Sequence, residues 1–387
     1  MKTIRTEQLV VWLGVVALLS GCGSCAQQLS SSSEPETANN SVFSLEVITS
    51  EPRGVIWGMS FVDDDTILYT LRQGKMGLLD TGTGGITPVV GELPGVLSAR
   101  QGGLLDVRAH PSFATNKTIY LSYSKPTDDG ATTAVATARL DGSRLSDLQE
   151  IFVAEAHSSN THHYGSRLQF DGAGHLFVTV GDRGERHKAQ DLNVHNGKVL
   201  RLNEDGTPPE DNPFFEQGGP ARFIWSYGHR NPQGLVFDAQ TGELWEHEHG
   251  PRGGDELNLV KKGLNYGWPT ISYGKEYSSG AQVGQGTEKE GMEQPVKYYV
   301  PSIAPCGMIR YSGDLFPQWR GRFFIGALAM QHINVVEIKD GEAVGEERLL
   351  TDQGERVRAL AQSPSGAIVF STDSGQIARL VPATNAP

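Results

Sequence analysis

The chain has 387 residues, 38% of them apolar, enough to bury a sizeable core, so neither a disordered chain nor a disulfide-stapled miniprotein fits. Its formal net charge of -12 at pH 7, with no compensating Lys/Arg stripe, repels nucleic acid and anionic membrane surfaces. The carboxylate surplus suits calcium, and 47 glycines with little helical apolar spacing favour a turn-rich β architecture.

At the N-terminus, Lys2 and Arg5 precede an apolar stretch from Leu9 to Leu19 that is too short to span a bilayer and reads as an export signal. Leu19-Ser20-Gly21-Cys22 resembles the bacterial lipobox, which implies a signal peptide over residues 1–21 and a lipid on Cys22. Gly23, where an inner-membrane retention signal would place Asp, implies the periplasmic side of the outer membrane. Residues 22–42, including Leu29-Ser30-Ser31-Ser32-Ser33-Glu34-Pro35, have tether composition. With Cys22 lipidated, only Cys25 and Cys306 remain, and no structural disulfide is expected.

From residue 43 to residue 383 one pattern recurs six times: an apolar residue, a turn with Asp, Pro or Gly, then an alternating apolar/aromatic strand. The copies are Phe61–Tyr69, His110–Tyr120, Phe170–Phe177, Phe237–Trp245, Leu315–Ile325 and Ser363–Val369. Their separation of about 50 to about 75 residues fits four short strands per unit. One such unit cannot bury both faces of its sheet, so the units must stack around an axis, and the expected fold is an all-β, six-bladed β-propeller over residues 43–383. A β-sandwich or two smaller β domains would show similar punctuation.

Three constellations carry chemistry. In His162-His163-Tyr164-Gly165-Ser166-Arg167-Leu168, ahead of Gly181-Asp182-Arg183-Gly184, a histidine can act as general base with a carboxylate fixing its tautomer. Gly228-His229-Arg230-Asn231-Pro232-Gln233-Gly234 puts an arginine and an asparagine in a turn, where they can bind carboxylate and carbonyl oxygens. Glu248-His249-Gly250-Pro251-Arg252-Gly253-Gly254-Asp255-Glu256, followed by Asn265-Tyr266-Gly267-Trp268-Pro269, offers carboxylates and turned-in carbonyls to a hard cation such as calcium. Each also has a plainer reading, as solvated loops and ordinary turn formers. The histidines lack zinc spacing, and neither a Gly-x-Ser-x-Gly elbow nor a Gly-rich dinucleotide or phosphate loop is present.

Taken with Gln101-Gly102-Gly103-Leu104-Leu105-Asp106-Val107, Gly197-Lys198-Val199-Leu200-Arg201-Leu202-Asn203 and Asp211-Asn212-Pro213-Phe214, these segments resemble, in order, the glucose/sorbosone dehydrogenase family and its soluble aldose sugar dehydrogenases that use pyrroloquinoline quinone (PQQ). The resemblance implies His163 as catalytic base, assisted by Asp182. It implies Gln101, Arg230 and Asn231 along the quinone, with Arg356 and Arg358 on its carboxylates. The backbone oxygens of Gly250 and Pro251 would hold an active-site calcium, and Glu256 and Tyr266 a second, structural one. Ala329 stands where better-known members place a cofactor-binding lysine, and the loop from Ser278 to Val296 differs from the glucose-specific branch.

The implied reaction oxidises an aldose at its anomeric carbon to a lactone, with Arg230 stabilising developing charge. Electrons pass to an external acceptor, because the chain has no haem or iron–sulfur cysteine pattern. The chain is expected to be a monomer or weak dimer. Two other classes fit a six-bladed ring: a calcium-dependent sugar lactonase, and a non-catalytic propeller that binds a glycan or protein.

Overall fold

Each copy of the sequence repeat is the turn between the first two strands of an antiparallel unit. In the computed structural model, which describes residues 36–37, 42–50 and 53–383, these hairpins are Ile56–Phe61 with Thr66–Leu71, Leu104–Ala109 with Thr118–Thr127, and Leu168–Phe170 with His175–Val180. The other three are Pro232–Asp238 with Glu243–Glu248, Pro305–Arg310 with Phe323–Ala327, and Val357–Gln362 with Ile368–Thr372. Asp recurs in these turns because its carboxylate caps the free amides: Asp63 accepts from the N–H of Asp65 and Thr66, and Asp171 from Ala173 and His175. The expected signal peptide, Cys22 and most of the tether lie outside the described residues.

Two further strands complete each of the first five blades. The sixth is assembled from both ends of the chain, Phe43–Thr49 joining the edge of Ile377–Pro382. The result is a six-bladed all-β propeller whose ring is closed by main-chain hydrogen bonds. Six separate sheets exclude the sandwich. A short strand, Glu36–Thr37, pairs in parallel with Glu347 and Arg348 on the fifth blade, so the segment expected as a tether to residue 42 includes a sheet-bound portion. Apolar side chains fill the blade interfaces, as where Trp245 and Leu257 of the fourth blade meet Phe323 and Ile325 of the fifth.

The first strands surround the axis, and five of the six break register: between Ile56 and Gly58, Leu104 and Val107, Pro232 and Gly234, Cys306 and Met308, and Val357 and Leu360. A bulge re-aims a side chain out of the pleat. Trp57, Leu105, Gln233 and Arg358 sit at these breaks and line one common cavity.

In four of the six blades a hydroxyl on the second strand joins the first strand to the next blade. Thr70 Oγ1 accepts from the Gly58 N–H and donates to the Leu105 carbonyl; Ser122 does the same between Asp106 and Ser166, and Ser371 between Ala359 and Ile56. Thr179 bridges Arg167 to Pro232, and His247 Nε2 reaches the Gly307 carbonyl at the fourth interface. At the fifth the strands touch directly: a Cβ on Gly326 would lie 2.7 Å from the Val357 carbonyl.

Beneath the cavity Arg167 crosses the axis. Its Nε donates to the Gln233 carbonyl at 2.7 Å, Nη1 to the Trp57 carbonyl and Asp106 Oδ1, and Nη2 to Cys306 Sγ, while its guanidinium lies 4.0 Å from the Trp57 ring centroid. One side chain thus ties its own blade to four others and floors the channel.

Candidate active site

The cavity above Arg167 has a volume of about 310 Å³ and brings together Gln101, Asn231, Arg356 and Arg358, four of the residues expected along a cofactor. Asn231 Oδ1 accepts from the Gly165 N–H at 3.2 Å, and its Nδ2 has no hydrogen-bond partner among the described residues, leaving a donor available at the wall. Arg358 grips Asp373 through Nε and Nη2, and Arg356 shares the same carboxylate through Nε. Arg72 and Arg100 add two more guanidiniums to the lining. A hollow with four cations and one carboxylate fits a planar polycarboxylate, whose oxygens guanidinium forks match.

His163 and Asp182 form a pair at the edge of this cavity. His163 Nδ1 and Asp182 Oδ1 are 2.7 Å apart, so the ring proton sits on Nδ1 and Nε2 is left as the basic nitrogen. Burial pushes the His163 pKa down to about 4, Asp182 opposing and Arg230 adding to the shift, so the imidazole is neutral at ordinary pH. His163 has φ of 55°, an unusual conformation for a non-glycine, held by its N–H on Gln101 Oε1 at 2.8 Å. Arg183, itself buried, fixes the approach: it donates to the carbonyls of Ala131, Asn160 and His162 and lies 3.5 Å from the centroid of the Tyr164 ring. His163 does not line the cavity; its neighbours Tyr164 and Gly165 do.

Arg230 links this pair to the third constellation. Its carbonyl accepts from the Asp182 N–H, its guanidinium lies 5.2 Å from the Trp268 ring centroid, and Nη1 donates to the carbonyls of His249 and Gly250. The Gly250 carbonyl therefore already holds a guanidinium, and a cation there takes its second lone pair. Gly250, Glu256 and Tyr266 share a narrow cleft with Arg230 and Glu248, whereas Pro251 is buried alongside it. The Tyr266 hydroxyl is committed to the Leu259 carbonyl and the Lys261 N–H, which leaves its carbonyl for a metal.

The sequence put Glu248 among the calcium donors but did not join Glu246 and His229 to it. His229, Glu246 and Glu248 converge with ligand atoms within 4.8 Å of one another. Burial opposes a charged His229, but the two carboxylates outweigh it and raise its pKa to about 9; burial and then Glu248 push Glu246 up to about 7. Glu248 faces Glu256 directly across the strand pair, and Glu246 Oε2 is buried without a hydrogen-bond partner. Carboxylates set opposite one another and an orphaned oxygen fit a calcium ion. Glu246 and Glu248 lie two apart on one strand, so period-two alternation put them on one face in the sequence. Trp268 was also missed: its Nε1 donates to Asp182 Oδ2 at 2.8 Å and completes the carboxylate's partners.

The glucose/sorbosone dehydrogenase family model matches residues 51–380. The aldose sugar dehydrogenase YliI of Escherichia coli (strain K12) is 42% identical over 334 residues, 84% of this chain and 90% of that protein. The crystal structure of the soluble E. coli aldose sugar dehydrogenase in its apo form superposes with a TM-score of 0.84 at 39% identity, covering 88% of this chain and all of that one. The PQQ-bound aldose sugar dehydrogenase of Streptomyces coelicolor superposes with a TM-score of 0.73 at 25% identity, covering 89% of this chain and 100% of the other.

Proposed function

Because the chain belongs to the glucose/sorbosone dehydrogenase family, we propose that it is a quinoprotein oxidoreductase that oxidises aldose sugars at the anomeric carbon to lactones and passes the electrons to an external acceptor. The observation that carries this reading is a buried, neutral, carboxylate-oriented histidine beside a cavity rich in guanidinium groups. When bound there, PQQ supplies a two-electron acceptor for the hydride that leaves the sugar.

The chain's own residues do the rest. His163 Nε2 takes the proton of the anomeric hydroxyl, and Asp182 stabilises the imidazolium that forms. Trp268 and the Gly184 N–H hold Asp182 in place. Gln101 and Asn231 orient the cofactor's oxygens, Arg356 and Arg358 take its carboxylates, and Arg230 faces developing negative charge. The Gly250 and Pro251 carbonyls would hold a calcium ion at the active site, and Glu248, Glu256 and the Tyr266 carbonyl would hold a second, structural one. The export signal and Cys22 support a periplasmic, outer-membrane-anchored location.

The test is dye reduction by glucose and other aldoses after adding PQQ and calcium to the purified protein. Turnover that requires both, with lactone as product, is the expected result. Lactone hydrolysis without quinone assigns the lactonase instead, and neither activity assigns a binding propeller.

A further inference from the structure

The cavity holds more cationic charge than the protein neutralises. Of its four lining arginines, Arg356 and Arg358 share Asp373, the single lining carboxylate: Oδ1 accepts Arg358 Nε at 2.7 Å, and Oδ2 accepts Arg358 Nη2 and Arg356 Nε, both at 2.8 Å. Asp373 therefore has little capacity left for another fork. The Arg72 guanidinium has no hydrogen-bond or ion-pair partner among the described residues. Arg100 is equally unpaired, but it is exposed at the mouth, where water and salt screen it.

Arg72 is built into the wall. It follows the strand Thr66–Leu71; its N–H donates to the Val55 carbonyl at 3.0 Å, and its carbonyl accepts from Leu104 at 3.1 Å. Gly103, at φ of 151°, lies against it so closely that a Cβ would fall 1.9 Å from the Arg72 carbonyl oxygen and 2.8 Å from Arg72 Cγ. The stem is fixed from both sides while the head points into a half-enclosed space beside two other guanidiniums. Burial, then the charge of Arg358, pulls the Arg72 pKa below its usual value, with only Asp373 opposing. An unpaired, partly desolvated cation costs free energy unless a ligand anion meets it.

We infer that Arg72 is a further cofactor-binding residue, one that takes a carboxylate of the bound cofactor alongside the Arg356–Arg358 pair. The inference rests on the proposed PQQ site. Ala329, exposed on the same rim beside the cavity-lining Leu328, brings no charge of its own, so Arg72 is the half-buried cation left to serve.

Apo-protein titrated with PQQ in the presence of calcium tests it, with quenching of tryptophan fluorescence as the readout, since Trp57 lines the cavity. Arg72→Gln should bind PQQ roughly ten- to a hundredfold more weakly, the effect of one charge-assisted hydrogen bond. It should also show a shallower loss of affinity with salt, while its apo melting temperature stays near wild type. Arg72→Met, which keeps the stem against Gly103, is the second variant should Gln disturb folding. Folded variants that bind within twofold of wild type, with the same salt slope, overturn the role of Arg72 alone. Wild-type protein that fails to bind PQQ overturns the proposed function and this inference with it.

Discussion

Two levels of the same channel use arginine in opposite ways. At the floor, Arg167 donates to two backbone carbonyls, a carboxylate and a thiol, lies over an indole, and closes the axis. At the mouth, the Arg72 and Arg100 guanidiniums have no hydrogen-bond or ion-pair partner among the described residues, and Arg356 and Arg358 divide one carboxylate between them. Burial with a partner at every guanidinium nitrogen marks a structural cation. Partial burial with donors left over marks one waiting for a ligand, and the residue type alone does not tell them apart.

Substitutions at the two levels should therefore separate turnover from stability. Asp182→Asn removes the tautomer-fixing acceptor from His163 and should lower kcat/KM by about 10²- to 10⁴-fold with little change in melting temperature, in steady-state dye reduction. Arg167→Met takes from buried Asp106 the nearer of its two guanidiniums, leaving Arg108 at 3.9 Å, and should cost about 3 kcal/mol in denaturant unfolding. A chelator should destabilise the protein by about 2.7 kcal/mol relative to calcium at a hundredfold over its Kd, because Glu246, Glu248 and Glu256 are left facing one another; calorimetry with and without calcium reads this.

Acid sharpens the contrast further. Burial lowers the pKa of His195 to about 4, so between pH 6.5 and 4 the unfolded chain binds a proton that the folded chain refuses. Stability should fall through that window by about 1.4 kcal/mol per pH unit from this group. Turnover, which needs neutral His163 with its pKa near 4, should hold level down to about pH 5 wherever the protein stays folded. The smallest effect belongs to a blade stitch: Ser371→Ala removes one bridge between Ala359 and Ile56 and should cost about 1 kcal/mol in urea.

The ring was legible in the sequence because each blade announces itself at the turn between its first two strands, where Asp, Pro and Gly are needed for backbone reasons. His163, Asp182, Arg230 and Asn231 stand in loop motifs at the other ends of those hairpins, and the motifs suggested them as candidates. The bulges that aim Trp57, Gln233 and Arg358 at the axis were not, since one extra residue in a strand leaves no periodic trace. Arg167 was read only as part of a motif: a cation just ahead of a strand gives no sign that its partners come from four other blades. Arg72 escaped for the same reason, being meaningful only beside Arg356, Arg358 and Asp373, about 285 to 300 positions away in the chain. Glu246 and Glu248 could have been found by pairing their strand with the one carrying Glu256.

The central claim is that the axial cavity is a cofactor seat made of guanidinium groups that the protein only partly neutralises, beside a neutral histidine. A crystal of the protein soaked with PQQ and calcium tests it most directly. The account predicts one planar molecule over Trp57, its carboxylates on Arg72, Arg356 and Arg358 and its quinone edge toward His163. A cavity holding only water under saturating PQQ, or PQQ bound elsewhere with His163 out of reach, would contradict it.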